Sequence, residues 1–542
     1  MYSIIRKSIL FFLTLCLVLT SLPYAATAED GEEAETYSLA FEDQAVWTHK
    51  KNAKFKVSYW TASAVYCARP THSAQQSMDL YVPEAYLRED GTIDETAEVG
   101  GYTALTAPII YWNSHGSYVG MVPFGIAGMS TRSTQKGWVL NMIANGFVVC
   151  MVGERGKQTV DADGNVIGRG PIAISDLKAG VRFLRHNSAV IPGSTDRIVS
   201  VGTSSGGAMS ALLGASGNND YYTPYLEAIG AVMDERDDVF ATMAYCPITD
   251  LNHADYAYEW LYAADTTGMD DFQKALSQKL AAEFPVYLNG LGLTDESGNS
   301  LTVSEDGAQS GSFYDYLAGR YEDAFERYVR EFDTGYQGIA TYAADGAVDA
   351  ESLSWLSWDD EEQKATLVTP EGSGSALEAM VLSGFRARQK ATVAFDSLDP
   401  IGGDNEVFGV QGSQAGTKES ARHYNARIAE MIGELKDAFP EAYEKYYADY
   451  LADSSDEEVR AWSTYLNALS FLTGEAQSDV SPNFRINMGV CDADTSTAVS
   501  ATLALLLMKN GIHTEFNLMW GWGHNDCDTP TGLMDWVNGL CR

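Results

Sequence analysis

The sequence predicts an α/β fold, with a mostly parallel sheet, flanking helices and one large, mainly helical insertion. Two observations carry this. Up to about residue 249, short apolar runs alternate with helix signals, the pattern of strand–helix–strand units. Strand signals then fade from about 250 to about 477 and return near Phe484, so one sheet is split by a block of different composition. The size agrees: 542 residues, 45% apolar and 11% aromatic, are too many for one simple domain and too apolar for a disordered chain.

At the N-terminus, Arg6 and Lys7 precede an apolar run from Ile9 to Leu22 that leads into Ala26-Thr27-Ala28. This is the layout of a secretory leader, with cleavage expected after Ala28. The run, about 14 residues, falls short of the roughly 20 that cross a bilayer, and the later stretch Ala498 to Met508 is shorter still. The expected layout is a signal peptide over 1–28, a first core segment over 29–249, an inserted cap over 250–477 and a second core segment over 478–542. A secreted or extracytoplasmic protein follows.

In the first core segment, APIIYW (from Ala107), GFVVCMVG (from Gly146), DRIVSVG (from Asp196) and DVFATMAYC (from Asp238) read as buried strands. Between them SDLKAGVRFLRHN reads as a helix with Ser175 as its N-cap. The insertion is marked by FYDYLAGRYEDAFERYVREF and similar segments, whose tyrosine rows at helical spacing point to helix packing rather than to a cofactor site. Gly290 to Gly311 and Gly372 to Gly384 read as loops. The second core segment brings a strand, FRINMGVCD (from Phe484), a helix from Thr495 to Asn510, and a last strand, HTEFNLMW (from His513).

Charge and cysteine usage narrow the function classes. With 36 Lys+Arg against 74 Asp+Glu, the net charge of −38 opposes binding to nucleic acid or to anionic membranes. Beyond the leader, Cys67, Cys150, Cys246, Cys491, Cys527 and Cys541 form no CxxC or Cys/His pattern, so no structural metal site is expected. Cys150 and Cys246 read as buried free thiols, and Cys527 with Cys541 as the favoured disulfide, with Cys491 competing. Asp161 to Asn165 imitates a calcium loop, but its glycine comes too early, so it reads as a hairpin turn. No nucleotide fingerprint is present, and no cofactor is expected.

The chemistry centres on Gly202-Thr203-Ser204-Ser205-Gly206-Gly207, directly after one strand and directly before a helix. Such a sharp turn accepts only small neighbours and exposes the serine hydroxyl above the sheet. A serine needs a base, and the base needs a carboxylate to fix its tautomer. Asp492 closes a strand, and His524 lies in the loop after the last one, giving the order Ser, Asp, His of an α/β hydrolase. Asp494 competes as the acid, although it also reads as the N-cap of the following helix. Of the eight histidines only His513 and His524 follow the acid, and His513 begins a strand. The oxyanion would be held by the Ser205 N–H and by the loop Asn113-Ser114-His115-Gly116-Ser117-Tyr118, with Gly116 and Ser117 as candidates.

Beyond these residues, QQSMDLYVPEAY, GTSSGGAMSALLGASGNNDYYTPYLEAIGA, AYCPITDLNHADYAYEW, KATVAFD, DNEVFG and FRINMGVCDADTSTA make the chain resemble the bacterial subtype B tannases, α/β-hydrolase esterases that cleave galloyl esters. The resemblance implies a triad of Ser204, Asp492 and His524, and gallate hydroxyls held by Lys390, Glu406 and Asp494. Relatives usually carry Gly-Gly where this chain has Gly116-Ser117. The expected function is a serine esterase acting through an acyl-enzyme on a small phenolic ester. A carboxylesterase for feruloyl or acetyl esters is the alternative; a serine peptidase, which lacks support from propeller-like repeats, and a non-catalytic binding protein on the same scaffold stand further back.

Overall fold

A computed structural model describes residues 48–113, 115–126, 128–129, 134–331 and 353–542. The leader expected over 1–28 lies outside the described residues. The architecture is organised by a nine-stranded sheet. Its strands are β1 (Thr48–Asn52), β2 (Val57–Val65), β3 (Ser77–Pro83), β4 (Pro108–Asn113), β5 (Val148–Val152), β6 (Ser194–Thr203), β7 (Ala241–Tyr245), β8 (Asn483–Gly489) and β9 (His513–Met519). Their spatial order is β1-β2-β3-β5-β4-β6-β7-β8-β9. The first three, and the junction of β3 with β5, pair antiparallel, and the remaining pairs are parallel.

Burial explains which strands are readable from sequence. Every residue of β4, β5 and β7 is buried, as central parallel strands covered on both faces require, so each reads as a continuous apolar run. β2, VSYWTASAV, is buried on only part of its length and carries polar residues between apolar ones, which is why it and its neighbours at the antiparallel edge escaped the sequence reading. Helices α1 (Thr134–Ala144), α2 (Ile172–His186) and α3 (Ser205–Ala215) link the central strands. α2 starts three residues before Ser175, which is not its cap: Ser175 is buried within the first turn, and its hydroxyl donates to the Pro171 carbonyl at 2.7 Å. Below α2, Asp237 is fully enclosed between Lys178 at 2.7 Å and the Arg182 guanidinium at 2.6 Å.

Between β7 and β8 the chain forms α4 (Leu251–Tyr262), α5 (Asp271–Gly290), α6 (Ser312–Glu331), α7 (Ala426–Glu434), α8 (Pro440–Ser454) and several further helices of nine residues or fewer. It also holds a small hairpin, Leu356–Asp359 with Lys364–Leu367, and a short helix, Ala376–Leu382, inside the glycine-rich stretch that reads as a loop. This block docks on the loop that follows β8. Tyr258 and Tyr262 of α4 donate hydroxyl hydrogen bonds to the Ala493 and Asp492 carbonyls at 3.1 and 3.2 Å. Arg386, fully buried, donates to the Val490 and Thr495 carbonyls at 3.1 and 2.8 Å and to the Tyr262 and Tyr321 hydroxyls at 2.7 and 3.1 Å. At a second contact, Trp462 packs on Gly170, whose φ of +57° and missing Cβ are both required there, since a Cβ would come within 2.5 Å of the indole.

The closing helices are α9 (Thr497–Lys509) and α10 (Gly532–Cys541). α9 is capped by the Ser496 hydroxyl, so Asp494 is not an N-cap. The six cysteines are unbridged, and the expected Cys527–Cys541 pairing is not formed. Cys527 instead lies buried against Cys246, sulfur to sulfur at 3.5 Å, a proximity between residues 281 apart that spacing does not reveal. The Asp161 turn is hairpin-like: its carboxylate accepts from the Asp163 and Asn165 N–H groups at 2.9 and 2.8 Å, and Val160 bridges Val166. No helix among the described residues is long and apolar enough to cross a membrane.

Candidate active site

β6 delivers Ser204 to the turn before α3 with φ +64° and ψ −125°, a conformation that costs a non-glycine residue about 1–3 kcal/mol. Local packing holds it there. The Ser204 N–H donates to the Tyr245 carbonyl at 2.9 Å, and its own carbonyl accepts from Ile248 at 3.1 Å. The glycines on either side make the turn possible: a Cβ on Gly202 would lie 2.2 Å from the Gly206 carbonyl oxygen, and one on Gly206 would lie 2.5 Å from Asn113 Oδ1 and 2.6 Å from the His115 carbonyl oxygen.

The three residues singled out by chain order meet here. His524 Nε2 lies 2.7 Å from Ser204 Oγ, and His524 Nδ1 lies 2.9 Å from Asp492 Oδ2. Since the serine hydroxyl donates to Nε2, the imidazole keeps its proton on Nδ1 and gives it to the carboxylate. The other oxygen, Asp492 Oδ1, accepts the Asp494 N–H at 2.9 Å, so Asp494 supports the acid through its backbone and does not orient the imidazole. Backbone bonds tie the acid and base loops together: Val490 N–H to the Met519 carbonyl at 3.0 Å and Cys491 N–H to the Trp522 carbonyl at 2.8 Å.

Burial would push the His524 pKa down, but the adjacent Asp492 charge and hydrogen bond outweigh it and hold the imidazole above its ordinary value. For Asp492 burial pushes the carboxyl up, and the His524 pair, with Arg386 behind it, brings it below the usual carboxylate range. Among the described residues, one trio of His, Cys and acidic side chains is close enough to share an ion: Cys246, Asp492 and His524. Its donors are committed elsewhere. His524 Nδ1 carries the proton bound by Asp492, and burial keeps the Cys246 thiol protonated.

The loop after β4 is fixed from several sides. Asn113 Nδ2 donates to the Gly206 carbonyl at 3.1 Å and to Ser210 Oγ at 2.9 Å, the Tyr118 N–H donates to Ser205 Oγ at 2.9 Å, and the Tyr118 hydroxyl donates to the Ile248 carbonyl at 2.6 Å. Beneath it His115 Nδ1 and Glu154 pair at 3.0 Å, both fully buried. Gly116 lines the same cleft as Ser204; Ser117 is exposed, sits at φ +51° and does not line that cleft. Ser205 opens α3, where first-turn N–H groups lack intrahelical acceptors.

The three residues implied as hydroxyl binders are arranged unequally. Tyr258 links two of their neighbourhoods, accepting the Lys390 N–H at 3.1 Å while donating to Ala493, beside Asp494. Lys390 Nζ lies 4.4 Å from the Phe395 ring centre. Glu406 is 7% exposed, accepts the Gly402 N–H at 3.1 Å and faces the buried Arg169 guanidinium at 3.7 Å. The Arg169 contact, like Arg386, Asn113 and the His115–Glu154 pair, joins residues distant in the chain and leaves no local signal in the sequence.

The family model BD-FAE matches residues 128–284. Among solved structures, the tannin acyl hydrolase of Lactobacillus plantarum is 31% identical with a TM-score of 0.75, over 92% of this chain and 98% of that one. A tannin acyl hydrolase in complex with ethyl gallate matches with the same 31% identity, TM-score of 0.75 and coverage of 92% and 98%. The Fusobacterium nucleatum tannase is 29% identical with a TM-score of 0.73, over 92% and 98%. No curated protein matches the chain. An identity of 31% sustained over 98% of a tannase, on an α/β-hydrolase sheet, shows that this chain belongs to the bacterial tannase family and is a carboxylic ester hydrolase.

Proposed function

We propose that the chain is a secreted serine esterase that cleaves galloyl esters through an acyl-enzyme. The observation that carries the mechanism is the relay from Ser204 Oγ through His524 to Asp492 at 2.7 and 2.9 Å. His524 Nε2 takes the Ser204 proton as Oγ bonds to the ester carbonyl carbon, and the carbonyl π pair moves onto oxygen. Asp492 stabilises the imidazolium, while the Ser205 and Gly116 N–H groups face the oxyanion. When the oxyanion collapses, the C–O bond to the alcohol breaks and His524 returns its proton to the leaving oxygen. A water then gives a proton to His524 and attacks the acyl carbon, and Ser204 leaves with that proton.

For the acyl group, Lys390 donates to phenolic hydroxyls, and Glu406 and Asp494 accept from them. Likeness to the tannin acyl hydrolase bound to ethyl gallate, and to one bound to 3,4-dihydroxybenzoate, supports a hydroxylated aromatic acid. Residues 250–477 serve as the lid, consistent with their grip on the loop that carries Asp492. The leader directs export, leaving Glu29 as the first residue, which N-terminal sequencing of protein from culture medium tests.

Methyl gallate, methyl ferulate, methyl benzoate and p-nitrophenyl acetate assayed in parallel test the substrate class. A site whose buried polar groups lose their partners discriminates strongly, so methyl gallate should exceed methyl benzoate in kcat/KM by a factor on the order of 10² or more. Equal turnover of the two would refute galloyl specificity and leave the general esterase.

A further inference from the structure

Ser204 borders a cleft of about 350 Å³ whose position relative to the other site residues has a chemical meaning. Among the described residues that line it, none lies between 250 and 477, and none is Lys390, Glu406 or Asp494. Two of them, Asn525 and Asp526, directly follow His524. In ester cleavage the leaving oxygen must receive its proton from the imidazole, so the alcohol occupies the side of the serine where the histidine loop lies.

We propose that this cleft is the leaving-group subsite and that it takes an aromatic alcohol carrying a hydroxyl. The assignment rests on the esterase mechanism proposed above. Its volume is within the range that encloses a ring-sized ligand and far exceeds what a methyl group fills. Trp112, Met121, Phe124 and Met151 supply an apolar and aromatic wall, of which Phe124 is 40% exposed. Gln135 and Asp526 add polar groups to the lining. Gln135 Nε2 donates to Asp526 Oδ2 at 2.5 Å, and the Thr203 hydroxyl donates to the other oxygen. Burial raises the Asp526 carboxyl above its ordinary value, and its oxygens can accept a hydrogen bond from an incoming phenol.

The test holds the acyl group constant and varies the alcohol. Methyl gallate and 2-(4-hydroxyphenyl)ethyl gallate are compared on the full-length mature enzyme, on Phe124→Ala and on Gln135→Leu, with methyl benzoate as an acyl control. The wild type should favour the aromatic ester over methyl gallate by about tenfold or more in kcat/KM, and each variant should lower that ratio by about tenfold. The gallate-to-benzoate ratio on methyl esters should stay at its wild-type value. Equal kcat/KM for the two gallates in the wild type overturns the subsite. So does a variant that shifts the gallate-to-benzoate ratio, because the acyl ring would then occupy the cleft. Failure of the wild type to hydrolyse any of these esters would instead overturn the mechanism on which the subsite rests.

Discussion

Asp492→Asn isolates what the buried acid does. In the native site one carboxylate oxygen accepts the Asp494 N–H at 2.9 Å and the other accepts the His524 Nδ1–H at 2.9 Å. An asparagine of the same shape can satisfy the Asp494 N–H only with its carbonyl oxygen, which turns its NH2 toward His524. The imidazole must then present a lone pair at Nδ1 and move its proton to Nε2, where it faces Ser204 and can no longer accept. The wrong tautomer and the loss of the counter-charge together should lower kcat by about 10⁴-fold, or about 5 kcal/mol. The variant should remain folded, because Arg386 keeps its four acceptors on Tyr262, Tyr321, Val490 and Thr495. Steady-state kinetics on methyl gallate, with circular dichroism as the folding control, measures this. A folded variant within about tenfold of wild type would refute the role given to Asp492.

In the proposed mechanism neutral His524 is the base, so activity is present above its pKa and is lost as pH falls through it. With the imidazole held above its ordinary value by Asp492, the acid limb of the kcat/KM profile should lie above about pH 6.5; a limb at or below that value would contradict the pairing. Gly206→Ala would drive a methyl into Asn113 Oδ1 and the His115 carbonyl, displacing the loop that carries Gly116, so kcat should fall by about 10²–10³-fold, measured on p-nitrophenyl acetate. Asp237→Ala would leave Lys178 and Arg182 buried without their shared partner, and urea denaturation should show a loss of about 3–5 kcal/mol, with a loss below about 1 kcal/mol counting against that burial.

The central strands and the Ser204–Asp492–His524 relay could be read from sequence because each leaves a local trace. β4, β5 and β7 are unbroken apolar runs, Ser204 sits in a glycine-rich turn between a strand and a helix, and the acid and base each follow a strand. Where two signals compete locally, the sequence pattern misplaces the cap: Pro171 at the start of α2 prevails over Ser175, and Ser496 prevails over Asp494. Contacts between distant segments were not legible at all. Glu406 with Arg169 and Arg386 with the acid loop depend on how the insertion folds back on the sheet, and Cys246 with Cys527 on how the two core segments meet; no periodicity records either. The cleft beside Ser204 was hidden for the same reason, since β4, the loop after it, α1 and the histidine loop each supply only part of it.

The central claim is that Ser204 carries the acyl group. Treating the enzyme with an alkyl fluorophosphonate and mapping the adduct by peptide mass spectrometry tests it directly, because such a reagent bonds to a serine activated by a histidine base. One adduct per chain on Ser204, formed in step with loss of methyl gallate hydrolysis and absent from Ser204→Ala, is the expected result. Modification of a different residue, or undiminished hydrolysis by Ser204→Ala, would contradict the account.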